Sequence, residues 1–129
     1  MANSPKRETC KLSNNRMSFE ERQFLLTVIW LFMRHGRRDR ALAVCEALHE
    51  ADARDGVAAV ALAELLVAEG FPRAALDALR VADIPSQLDH AAAVVETRAL
   101  RLVGRVAEAD SRWRRHLEAQ KGAMRQWVG

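Results

Sequence analysis

Chemistry in this chain would fall to His35, His49, His90 and His116, to Cys10 and Cys45, and to carboxylate pairs such as Asp52 and Asp55. A zinc or redox centre draws its ligands from closely spaced cysteines and histidines. Neither cysteine stands at such a spacing from the other or from a histidine, and the four histidines share none. Cys45 falls on an apolar helix face, where a free thiol behaves as a small hydrophobe. Asp52 and Asp55 precede a helix start, and capping of the free amides there accounts for them. No nucleophile stands beside a base and no glycine-rich loop is present to cradle phosphate. The residues therefore describe a protein that is not an enzyme and needs no metal or cofactor.

Charge narrows the partners. Residues 1–17 carry Lys6, Arg7, Lys11 and Arg16 against Glu8, which is the whole of the net charge of +3. The remaining body is electroneutral, whereas a nucleic-acid binder needs a sustained basic face to release counterions. The basic stretch reads as a disordered tail rather than as a nucleic-acid contact. The most apolar run, Phe24 to Met33, is too short to span a bilayer and is flanked by Arg22 and Arg34. Met1 to Arg16 is polar throughout, without the apolar core of a secretory signal. A cytoplasmic protein that does not insert into membrane is the expectation.

The elements that must position any site are helical. Ser18 and Glu21 form a capping box that opens a helix from about Phe19 to His35, and Gly36 supplies the positive φ that ends it. A second helix runs from about Asp39 to Ala51. A third, capped by Asp55, runs from Val57 to Glu69 and closes at Gly70. Pro72 opens the fourth, which reaches about Ala82. Pro85 forces a turn, and Ser86 with Asp89 begins another capping pattern before a fifth helix, Gln87 to Val103. The sixth spans Val106 to about Lys121, with Met124, Trp127 and Val128 beyond Gly122 as a short extra turn over an open end.

Gly36, Gly70 and Gly104 stand 34 residues apart, and each is followed five residues later by Ala41, Ala75 or Ala109. That is the period of a tetratricopeptide repeat, a helix hairpin that buries its apolar face only by stacking on neighbours. Alanine fits where the second helix of each hairpin crosses the first, since a larger side chain would hold the backbones apart. The fold expected is all-α: three degenerate tetratricopeptide-like hairpins in a short right-handed solenoid over residues 18–129, with repeats at 22–55, 56–89 and 90–123. The resemblance is carried by these glycines and alanines and by the Leu62-Ala63 pair. It departs at Glu96-Thr97 in the third unit and in the absence of a late proline in each unit.

In the tetratricopeptide family four positions of each first helix face a concave groove. On this chain the resemblance assigns them to Gln23, Leu26, Trp30 and Met33, to Val57, Val60, Glu64 and Val67, and to Ala91, Val94, Arg98 and Arg101. A wall so apolar, left open to water, marks an interaction site. Trp30 is its natural anchor, and Arg98 and Arg101 suit acidic groups of a ligand. Leu26, Trp30 and Met33 at helical spacing also fit a core stripe, and periodicity leaves core and groove both open.

The first unit, Arg22-Gln23-Phe24-Leu25-Leu26 with Trp30-Leu31, Gly36, Ala41 and Leu48, is similar to the Y-type (YscY) family of type III secretion chaperones. The similarity continues from Gly104 through Ala109 to Trp113 and Leu117. It implies a cytosolic chaperone paired with a small secreted X-type protein and in contact with the export-gate membrane protein of the same machine. A needle-subunit chaperone and a general peptide-docking scaffold are the alternatives, with a nucleic-acid adaptor using the basic tail behind them.

Overall fold

The computed structural model describes residues 17–128. Six helices follow one another: α1 (Phe19–Arg34), α2 (Arg38–Ala51), α3 (Gly56–Ala68), α4 (Pro72–Arg80), α5 (Asp89–Leu102) and α6 (Val106–Val128), with a 3-10 turn at Ser86–Leu88. No strand occurs among the described residues beyond an isolated bridge between Asp55 and Asp83. The fold is all-helical, and each helix packs on the next in sequence, with α3 also packing on α5. Of the basic tail expected over residues 1–17, only Met17 lies within the described residues, and it packs against the core rather than trailing free.

The three glycine turns share one geometry. Gly36, Gly70 and Gly104 have φ of 73°, 91° and 87°. In each the amide after the glycine, from Arg37, Phe71 or Arg105, donates to the carbonyl five residues back at 2.7, 2.7 and 2.9 Å. This closes the preceding helix with a 6→1 bond that glycine permits at no steric cost. The carbonyls of Arg37, Phe71 and Arg105 then accept from Ala41, Ala75 and Ala109 at 3.0, 3.1 and 3.0 Å, opening the next helix. All three alanines are fully buried. Their burial fits the steric reason for a small side chain at the helix crossing.

At the helix starts, the Ser18 hydroxyl accepts from the Glu21 amide at 3.1 Å. Asp55 Oδ1 accepts from the amides of Val57 and Ala58, so both expected caps are in place. Asp55 also receives both arms of the Arg22 guanidinium, at 2.6 and 2.9 Å, which fastens the start of α1 to the start of α3. Ser86, by contrast, caps nothing: Pro85 leads into the 3-10 turn, and the Leu88 amide donates to the Pro85 carbonyl at 2.8 Å. The fifth helix accordingly begins at Asp89, later than its capping pattern suggests.

The core centres on α3, whose sequence Gly-Val-Ala-Ala-Val-Ala-Leu-Ala-Glu-Leu-Leu-Val-Ala is apolar nearly all round. A helix without a polar face is stable only when neighbours surround it. Nine of its thirteen residues are buried, whereas α1 buries one, Ile29. Gly56 at its first turn is pressed against the chain that follows α4: a Cβ there would lie 2.1 Å from the Asp83 carbonyl oxygen and 2.8 Å from Pro85 Cδ. The Asp83 amide donates to the Arg54 carbonyl at 2.9 Å, holding the approach.

α6 corrects the expected end of the chain. It does not stop near Lys121 but continues unbroken through Gly122 to Val128. Glycine inside a helix costs about 1 kcal/mol relative to alanine, and the alanine, methionine, arginine and glutamine that follow are residues that favour helix. Met124, Trp127 and Val128 therefore ride on a projecting helix, largely exposed, and cover nothing among the described residues.

Cys45 is fully buried on α2. Burial first, and then the nearby Glu46 charge, push its thiol up to about 12. Because the thiolate is the reactive form, native protein treated with iodoacetamide at pH 8 should show no carboxamidomethyl group at Cys45 by peptide mass mapping. The same treatment in denaturant should label it fully. Labelling at equal rates in both states would mean that α2 does not bury this thiol.

Candidate partner-binding surface

The residues proposed for the groove divide by helix. On α1, Leu26 is half-buried while Gln23, Trp30 and Met33 are exposed, with Trp30 at 55%. Gln23, Leu26, Thr27 and Trp30 together line a shallow depression. The Thr27 hydroxyl donates to its own helix, to the Gln23 carbonyl at 2.9 Å, and the depression is lined about equally by polar and apolar surface. The Arg34 guanidinium lies 5.3 Å from the Trp30 ring centre, a distance at which cation and ring face attract. Trp30 is thus a surface residue held in place from one side, and the core reading of this stripe does not apply to it.

Phe19 extends the same face. It precedes Leu26 by seven residues and Trp30 by eleven, intervals that return to one side of a helix, and it is 68% exposed. A repeat frame that begins at Arg22 omits it, although helical spacing alone would have found it.

The α3 segment departs from the expected wall. Val57 is half-buried and Glu64 exposed, but Val60 and Val67 are buried at 5% and 6%. They are therefore not open to a ligand, and the physical reason is the position of α3 between its neighbours. An all-apolar helix gives sequence reasoning no polar face from which to tell groove from core.

On α5, Val94, Arg98 and Arg101 are exposed and Ala91 half-buried. Val94, Thr97, Arg98 and Arg101, with Trp113 of α6, line a second shallow depression, of about 370 Å³. Arg101 is paired with Asp110 at 3.0 Å. Arg98 has no such partner among the described residues. The Thr97 hydroxyl is buried and likewise finds no hydrogen-bond partner among them.

The last hairpin also joins residues that no local spacing connects. His90 Nδ1 lies 3.1 Å from His116 Nε2, and Trp113 completes a cluster of three rings with centres 5.2 to 5.9 Å apart. Arg112 binds Glu96 at 2.9 Å in the same register. These pairs stand nearly symmetrically about the turn at Gly104, so folding the sequence back on that glycine would have brought them together. They fasten α5 to α6.

A larger cleft of about 720 Å³ opens where α4, α5 and α6 meet. Its arginines are largely matched within it: Arg112 with Glu96, Arg105 with Glu108, and Arg80 near Asp77. Among the described residues no group of three or more potential metal ligands assembles, and no helix is long and apolar enough to cross a membrane. What the surface offers is apolar side chains and guanidinium groups, suited to holding another chain. Comparison with protein-family models, with curated proteins and with solved structures finds no match.

Proposed function

We propose that the three hairpins are degenerate tetratricopeptide units in a short right-handed solenoid, and that the chain is a cytoplasmic type III secretion chaperone. In this reading it holds a small secreted partner of the X type as an amphipathic helix and presents it to the export-gate membrane protein. The repeat reading is supported by the three superposable glycine turns and the three fully buried alanines that follow them at one interval. The observation that carries the binding reading is the apolar stripe Phe19, Leu26, Trp30 and Met33 on α1, three of whose side chains are large and substantially exposed. Such a face is stable in the cell when a partner covers it.

The working stroke is physical rather than chemical. A secreted amphipathic segment aggregates through its own apolar face, and docking replaces that self-contact with contact to Leu26 and Trp30. Each apolar Å² removed from water contributes about 25 cal/mol, and ordering the partner's helix offsets part of it. The complex is therefore firm enough to protect the segment and weak enough to release it at the gate.

Trp30→Ala should weaken binding of the co-expressed secreted partner by about 2 kcal/mol, as loss of a central aromatic anchor does. Isothermal titration measures this, and helical circular dichroism and the melting temperature should stay within error of the parent because the ring is exposed. A fall in melting temperature without a selective binding defect would defeat the proposal.

A further inference from the structure

The last helix carries a second unpartnered stripe, distinct from the α1 face. Val106, Trp113, Leu117, Met124 and Val128 follow one another at intervals of seven, four, seven and four residues, an eleven-residue repeat that keeps all five on one side of the helix. All but the half-buried Trp113 are exposed, from 39% at Leu117 to 80% at Val128. α6 is nine residues longer than α5, so its end projects on the order of 13 Å past the hairpin at ~1.5 Å per residue. Beside Trp113 the stripe adjoins the shallow depression lined by Thr97, whose buried hydroxyl has no partner among the described residues.

Charge identifies what fits there. Arg114 and Arg125 follow Trp113 and Met124 by one residue, which places them on one flank of the stripe, and between them Lys121 is paired with Glu118 at 3.8 Å. Arg98 of α5 borders the depression on the other side, without a carboxylate partner among the described residues. From Arg112 to Val128 stand five cationic side chains and one anionic one, Glu118; Arg112 is matched by Glu96 and Lys121 by Glu118, which leaves Arg114, Arg115 and Arg125 without a carboxylate partner among the described residues. A second copy of the same helix would bring these cations against each other. A flat lipid surface matches the charge but cannot enter a depression between two helices. We infer that the α5–α6 end of the molecule is a docking site for an acidic amphipathic helix of another protein, with its apolar seam on Trp113, Leu117 and Met124 and its carboxylates toward Arg98, Arg114 and Arg125. This goes beyond the α1 reading, and it stands whether or not a type III secretion partner occupies that face.

The probe is a fluorescent synthetic helix of about 21 residues, three heptads with leucine at a and d and glutamate at e and g, beside a twin with lysine at e and g. Fluorescence anisotropy with the full chain should give at least a tenfold tighter complex with the glutamate helix than with the lysine helix. Leu117→Ser combined with Met124→Ser should weaken the glutamate complex by about tenfold or more with an unchanged melting temperature, and Trp30→Ala should leave it unaltered. Equal affinity for the two helices, or indifference to the Leu117 and Met124 changes in a folded variant, would overturn the proposal. It would also be overturned if vesicles of phosphatidylserine and phosphatidylcholine, or a second copy in sedimentation equilibrium, bound through the stripe while the glutamate helix did not. Loss with Trp30→Ala alone would return the binding to the α1 face and overturn the second site.

Discussion

Replacing Gly56 by alanine should destabilise the protein by about 3 kcal/mol, although the added group is a single methyl at the start of a helix. Its Cβ would stand 2.1 Å from the Asp83 carbonyl oxygen and 2.8 Å from the carbonyl carbon. Both are backbone atoms and cannot rotate away as a side-chain end would. Relief requires the turn before α5 to move, and the Asp83 amide bond to Arg54 and the ring of Pro85 resist that movement. Urea unfolding of the two proteins measures the difference. Gly122→Ala is the control, because nothing lies within 4 Å of its added Cβ and the position is inside α6. That substitution should stabilise by about 0.5 to 1 kcal/mol. If Gly56→Ala cost less than about 1 kcal/mol, the typical effect of a point mutant, α3 and the turn would not be in fixed contact.

Asp55→Ala should cost about 2 to 3 kcal/mol, since one carboxylate performs two tasks. It caps α3 through Val57 and Ala58, and it binds Arg22 at two points with only 11% of its own side chain exposed. Removal uncaps the central helix and leaves a guanidinium, 29% exposed, without its counter-charge. The hydrogen bonds from Arg22, and after them those from the Ala58 and Val57 amides, hold the Asp55 carboxyl below its usual range against the opposing effect of burial. A carboxyl lowered in the folded state contributes its stability above the unfolded value and loses it as pH falls through the folded one. The parent should therefore lose stability progressively below about pH 4. In Asp55→Asn the part of that acid-side slope due to this group should vanish. Urea unfolding between pH 2 and pH 7 tests the sign, and an unchanged slope in Asp55→Asn would remove Asp55 from the account. A double-mutant cycle with Arg22→Met should return a coupling energy of about 1 kcal/mol or more if the pair acts as a unit.

Neither prediction was equally legible in the chain. The cap at Asp55 follows from a short polar residue before an apolar run, a local signal that survives into the structure. Its second task does not, because Arg22 is 33 residues away and nothing local pairs the two. The need for glycine at 56 is illegible locally for a related reason: it is imposed by another segment's approach, whereas Gly36, Gly70 and Gly104 are required by their own backbone angles. Local conformation leaves a mark in the local sequence, and tertiary approach leaves none until the approaching segment is placed. The same distinction separates Trp30 from Val60 and Val67. α1 has a polar side against which an exposed aromatic can be judged, while α3 has almost none. α6 continues beyond Lys121 because a glycine ends a helix only when its φ turns positive, as at Gly36, Gly70 and Gly104, and Gly122 remains within the helix.

The unequal anchoring of the helices sets an order of events in time. α1 contributes one buried residue, while α3 contributes nine and is enclosed by its neighbours. Segments with few buried contacts open far more often than the molecule as a whole, and enclosed ones open only with it. The helix that presents Trp30 is therefore the one expected to detach most readily between encounters, held by Ile29, by the half-buried Leu25, Leu26 and Phe32 and by the Arg22–Asp55 clamp. Whatever binds Trp30 would also slow that detachment, and occupancy of the outer helix would be readable as a longer lifetime of its amide protons rather than as a change of shape.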